Sequence, residues 1–155
     1  MNKETLETLV EKESQKSSIT SKDIPDLDLY MDQIMTLFET HLANHKKNED
    51  DKLLTKTMIN NYAKNDLLPP PLKKKYSKEH LLVLVFIYYF KSILSITDIQ
   101  ALLKPITDTY FSSSENLSLE DIYNEVFRLE KSQVEVLKED ILHKFETAQG
   151  IFGDA

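Results

Sequence analysis

Residues 54–103 read LTKTMINNYAKNDLLPPPLKKKYSKEHLLVLVFIYYFKSILSITDIQALL, and no other stretch restricts the fold as strongly. A short amphipathic segment comes first. Three consecutive prolines and three consecutive lysines follow, then the ten-residue apolar run Leu81 to Phe90. That run is apolar on nearly every helical face, so the spacing predicts a helix over about 78–93 at the centre of a core. A membrane span needs about 20 such residues, so no membrane crossing is expected here.

The capping signals divide the stretch further. Thr55 is placed as N-cap of a helix over 56–65, with Ile59 and Tyr62 inward and Lys56, Thr57, Asn60, Asn61 and Lys64 outward or on the margin. Asn65-Asp66 can take the left-handed turn that ends it. Pro69, Pro70 and Pro71 then set an extended loop carrying Lys73, Lys74 and Lys75. Ser77 caps the central helix, with Tyr76 and Leu81 as a hydrophobic staple. Ser95 caps another helix, expected to end near Pro105, and the same pattern returns at Ser118.

The flanks are simpler. Residues 1–23 are polar and expected to be a frayed helix or disordered. Leu27, Tyr30, Met31, Ile34, Leu37, Phe38 and Leu42 predict a helix over about 27–45, and 46–52 is a charged connector. The expected body is a domain over 24–111 with a linker at 112–118. A last helix would run over 119–149, stopped by Gly150. Its length of about 45 Å exceeds what so small a domain covers. Its far half would either pair two copies or, after a break near Ser132, fold back.

Composition agrees with a helical protein: 155 residues, 29% charged, only two glycines. Absence of cysteine excludes disulfides, thiolate metal sites and thiol nucleophiles. The first residues lack a leader's apolar core, and a cytoplasmic location is expected. The charge is uneven. Residues 52–78 hold seven lysines and one acid, a local charge of +6, which leaves −13 for the rest against a total of −7. A basic island on an acidic chain argues for a directed anionic partner.

His41 and His45 have the i, i+4 spacing of a ligand pair, but no third ligand accompanies them, so they read as surface residues and no metal or other cofactor is expected. No phosphate-cradling glycine loop and no serine–histidine–acid pattern is present. No enzyme chemistry is expected.

The motifs Thr55-Lys56-Thr57-Met58-Ile59-Asn60-Asn61-Tyr62, Leu67-Leu68-Pro69-Pro70-Pro71, Tyr76-Ser77 and Leu94-Ser95-Ile96-Thr97-Asp98-Ile99 resemble the DNA-binding domain of MerR-type transcription regulators. From Ile24-Pro25-Asp26 through Ser77-Lys78-Glu79-His80 the chain also resembles a bacterial family catalogued as domain of unknown function 1836, regarded as transcription regulators. The resemblance implies an all-α, MerR-like winged helix-turn-helix, with a minimal two-stranded wing at most. The recognition helix would be 56–65 and the wing 67–76. Departures from the MerR pattern are Asp66 where glycine is usual, Thr57 and Asn60 at arginine positions, and a wing shortened to Leu72-Lys73-Lys74-Lys75.

The expected function is a DNA-binding transcription regulator, a homodimeric repressor on double-stranded DNA. Its contact residues would be Thr55, Lys56, Thr57, Asn60, Asn61, Lys64, Lys73, Lys74, Lys75 and Tyr76. Asparagine amides can pair with adenine, and the lysines can neutralise phosphates. Tyr76 divides between staple and DNA contact. The alternative is a protein-interaction module of helix-turn-helix fold that does not bind DNA. Placing Asp26, Asp28, Asp32 and Glu39 on the face of Lys73–Lys75 favours the alternative; placing them opposite favours DNA.

Overall fold

The computed structural model describes residues 2–14, 19–43, 53–112 and 117–153. The protein is mostly helical, with a small two-stranded antiparallel sheet among the described residues. In chain order the elements are α1 (Lys3–Ser14), a 3-10 turn (Ser21–Asp23), β1 (Leu29–Tyr30), α2 (Met31–Leu42), α3 (Lys56–Lys64), β2 (Lys75–Tyr76), α4 (Lys78–Phe90), α5 (Ile96–Tyr110) and α6 (Leu119–Phe152). They form two compact units, residues 18–124 and residues 1–17 with 125–155. No helix among the described residues is long and apolar enough to cross a membrane.

The larger unit is built around α4. Every residue from His80 to Ile87 is buried, as the unbroken apolar run demands. Phe86 lies edge-on to Tyr123 of α6, with ring centroids 5.3 Å apart. The Tyr123 hydroxyl donates to the Ile19 carbonyl. Ile34, Phe38 and Leu42 bury one face of α2, Ile59 and Tyr62 bury one face of α3, and Ile99 and Leu103 bury one face of α5.

The helix starts follow local chemistry. The Thr55 hydroxyl accepts the Met58 N–H at 3.1 Å, the Ser95 hydroxyl accepts the Asp98 N–H at 3.1 Å, and Ser118 and Asp121 bond each other reciprocally at 3.0 and 3.1 Å. Each bond satisfies an orphan donor of a first helical turn.

Three boundaries differ from the sequence reading. The helix expected over 27–45 begins at Met31, because Leu29–Tyr30 pairs with Lys75–Tyr76 as β1–β2. Leu27 and Tyr30 therefore leave the apolar face and are exposed. Second, α5 runs through Pro105 to Tyr110. Pro105 and Ala101 are both exposed, so water can take the carbonyl that a proline nitrogen leaves without a donor. Third, α6 passes unbroken through Ser132 and Gly150. Gly153 stops it instead, with φ at 68° and its N–H on the Gln149 carbonyl at 2.8 Å. The connector 46–52 and the stretch 113–116 of the linker lie outside the described residues.

The smaller unit joins α1 to α6 beyond Asn124. The segment expected to be a frayed helix or disordered contains a helix of twelve residues. Lys3 pairs with Glu146, and Glu11 pairs with Lys138. The reversed order of partners makes the two helices antiparallel. Leu6, Val10, Phe127, Val134, Leu142 and Phe145 are half-buried. Val126, Leu129, Val136, Leu137, Ile141, Ile151 and Phe152 are exposed.

Candidate nucleic-acid interface

Helix α3 is held at both ends as well as underneath. Lys91 donates to the Leu53 carbonyl at 2.9 Å, just before the Thr55 cap. At the other end Gln100 Nε2 donates to the Asn65 carbonyl at 3.1 Å. The Tyr62 carbonyl accepts the N–H groups of both Leu67 and Leu68, at 2.9 and 3.1 Å. Asp66 supplies the left-handed turn with φ at 60°. Two buried side chains and these bonds fix the helix, and its outer row stays open: Lys56, Thr57, Asn60, Asn61 and Lys64 are all exposed.

The loop after α3 is stiff. Pro69, Pro70 and Pro71 lead to a two-residue turn closed by paired bonds, Leu72 N–H to the Lys75 carbonyl at 3.1 Å and Lys75 N–H to the Leu72 carbonyl at 2.9 Å. Lys73 and Lys74 at its centre have φ of 51° and 65°. Two left-handed central residues are the signature of a type I′ turn, which normally takes Asn-Gly. A residue with a β-carbon costs about 1–2 kcal/mol in that conformation. Both lysines are exposed and make no ion pair among the described residues.

Beyond the turn, β2 pairs with β1 in the register Leu29 to Tyr76 and Tyr30 to Lys75. The inward pair, Leu29 and Tyr76, is buried. At 3% exposure Tyr76 offers little surface to a phosphate. Burial also raises its phenol pKa. Its ring stands edge-on to His80 at 5.4 Å. The staple reading of Tyr76 is the one its burial favours.

The outward pair brings α3 and the turn to the same place. Lys75 Nζ sits 5.0 Å above the Tyr30 ring. Two residues on, Asp32 Oδ1 accepts Lys56 Nζ at 2.6 Å. One cation from α3 and one from the turn therefore converge on residues 30–32. Acids engage two of the nearby lysines. Asp32 is paired with Lys56, and Asp26 lies 3.0 Å from Lys78, which Glu120 also contacts at 3.2 Å. Burial lowers the Lys78 pKa, but its bonds to Asp26 and Glu120 outweigh this and the net shift is upward.

Of the ten residues singled out from sequence, Tyr76 alone is buried. Thr55 is half-buried and committed to its cap, while Lys56 is engaged by Asp32. The contacts of four positioning residues escaped the sequence reading: Tyr30, Asp32, Lys91 and Gln100. No spacing rule joins them to partners that are 24 to 45 positions away along the chain. His45 lies outside the described residues, and His41 faces Asp23 at 4.0 Å. No cluster of three metal-ligating side chains occurs among the described residues.

No curated protein and no solved structure matches the chain. A family model does match, and it spans residues 19–126, which covers the larger unit with α3, the lysine turn and α4. The chain belongs to the family described as Domain of unknown function (DUF1836).

Proposed function

We propose that the protein is a DNA-binding transcription regulator with a MerR-like winged helix-turn-helix core, acting as a homodimeric repressor. One observation carries the reading. Lys56 of α3 and Lys75 of the turn meet at Tyr30 and Asp32, so an exposed polar helix face and a stiff lysine turn flank one surface. On this reading α3 enters the major groove, Asn60 and Asn61 reach base edges, and Lys73 and Lys74 hold neighbouring phosphates. The left-handed lysines add support, because strain at a turn tip is retained where the side chains presented there have a use. The exposed apolar residues of α6 support pairing of two copies, which would set half-sites about one helical turn (~34 Å) or a multiple apart.

A second reading, a protein-interaction module of the same fold, rests on the acids. Asp32 pairs with Lys56 of the candidate surface, and Asp26 pairs with Lys78 at the start of α4. Selection of bound sequences from random duplex DNA by purified protein tests both readings. The regulator should enrich a motif. Asn60→Ala should then cost about 1–3 kcal/mol on that motif and almost nothing on random DNA. Failure to enrich, with binding no tighter than about 10⁻⁴ M at physiological salt, leaves the interaction module.

A further inference from the structure

The two faces of the small sheet differ in kind. Leu29 and Tyr76 point inward and are buried. On the other face Tyr30, Lys75 and Leu72 form one continuous row: Tyr30 is the register partner of Lys75, and Lys75 bridges to Leu72 across the turn. In a pleated pair, partners directly opposite each other share a face. The row is therefore aromatic, cationic and aliphatic in order. It is open to solvent, with Tyr30 52% and Leu72 73% exposed. Lys73 and Lys74 project from the turn that ends it.

We propose that Tyr30 and Leu72 are binding residues that pack against the apolar deoxyribose surface of double-stranded DNA, between the phosphates held by Lys73, Lys74 and Lys75. The proposal deepens the DNA-binding reading and rests on it. Charge selects this occupant. Three lysines stand on or beside two exposed apolar side chains, and a sugar–phosphate strand presents apolar rings between anions at a similar spacing. An added peptide strand fits less well. The Tyr30 N–H at the edge of β1 already donates to Gln33 Oε1 at 2.9 Å, so that donor is not open for strand addition.

The division of labour gives separable signatures. Phosphate contacts by lysine release counterions and set the salt dependence of binding. Contacts by uncharged side chains add affinity without changing that slope. The experiment measures binding of the full chain to a duplex of about 25 base pairs by fluorescence anisotropy across a range of salt concentrations. Tyr30→Ser and Leu72→Ser are compared with the parent. Both side chains are exposed, and serine is a better N-cap than tyrosine at the start of α2, so folding should survive. Thermal melting checks this.

Each variant should bind about tenfold more weakly at every salt concentration, with the slope of the parent. Unchanged affinity in both variants overturns the proposal. A reduced slope in Tyr30→Ser also overturns it, because Tyr30 would then be a support for Lys75 and not a contact. A parent protein that binds no duplex removes the regulator reading itself, and the proposal with it.

Discussion

Asp32 and Lys56 form an ion pair of 2.6 Å between the first turn of α2 and the first residue of α3. Both side chains are well exposed, so the pair adds little to stability. Its importance is to the charge of the surface. It neutralises one lysine of the candidate recognition helix and leaves an acid at its rim. Asp32→Asn should therefore separate the two functional readings. If the surface binds DNA, duplex affinity should rise and the salt slope should steepen by up to about 0.9, one phosphate contact. Melting temperature should move by no more than a degree or two. If the surface binds a basic protein segment, the same variant should bind no DNA and lose its protein partner. Unaltered duplex affinity would show that Lys56 faces no phosphate.

The lysine turn carries the opposite trade. Lys73 and Lys74 hold the left-handed conformation of a type I′ turn, at a cost of about 1–2 kcal/mol each. Asn-Gly is the preferred pair for that geometry. Replacing Lys73 by Asn and Lys74 by Gly should raise the urea midpoint of unfolding. The same double variant should weaken binding to all duplex sequences alike and lower the salt slope by up to about 1.8. A variant that becomes more stable and binds DNA as before would exclude the turn from the interface.

Phe86 tests the core. Its side chain is 3% exposed, between Tyr123 at 5.3 Å and Phe90 at 6.0 Å. Truncation to alanine should cost about 3–5 kcal/mol, a large part of the ~5–15 kcal/mol by which small domains are stable. Thermal or urea unfolding gives the value. A loss below about 1 kcal/mol would mean that α4 is not the centre around which the other helices pack.

What could be read in advance was local. Thr55, Ser77, Ser95 and Ser118 cap helices through bonds to residues three positions on, and the apolar run 81–87 specifies burial by its own composition. The left-handed Asp66 follows from chain chemistry over a few residues, whereas Lys73–Lys74 holds a turn that its residue types do not signal. What escaped depends on distant partners. Tyr30 reads as part of a helical stripe until Lys75 supplies a strand to pair with. Tyr76 is a buried ring or an exposed contact according to which side of that strand faces the core. Pro105 and Gly150 are strong stop signals that tertiary context overrides, the first where water can replace a bond, the second where a later glycine completes the cap.

His80 links the central helix to the base of the turn, and its protonation should weaken both. Nδ1 accepts the Ser77 N–H at 3.0 Å and lies 2.8 Å from the Ser77 hydroxyl. Because the Ser77 N–H can only donate, the ring proton belongs on Nε2, which donates to the Pro70 carbonyl at 3.1 Å. Tyr76 and Phe111 close over the ring edge-on, at 5.4 and 4.7 Å. A second proton on Nδ1 would face the Ser77 N–H donor and break the reciprocal half of the capping box, while the Ser77 hydroxyl keeps the His80 N–H. Burial lowers the His80 pKa below its ordinary value of 6.5, against the raising influence of the Pro70 and Pro69 carbonyls and the Asp28 charge. The unfolded chain then binds the proton more readily than the folded one. Stability should be full above 6.5 and fall as pH drops from there toward the lowered pKa, levelling off below it. Urea unfolding between about pH 5 and 8 measures this. His80→Gln keeps a capping-box side chain at the third helical position but cannot titrate. It should lose up to one proton's worth of slope, about 1.4 kcal/mol per pH unit, across that window. Identical pH profiles for the parent and His80→Gln would show that this histidine binds its proton as readily in the folded chain as in the unfolded one and does not couple the turn to pH.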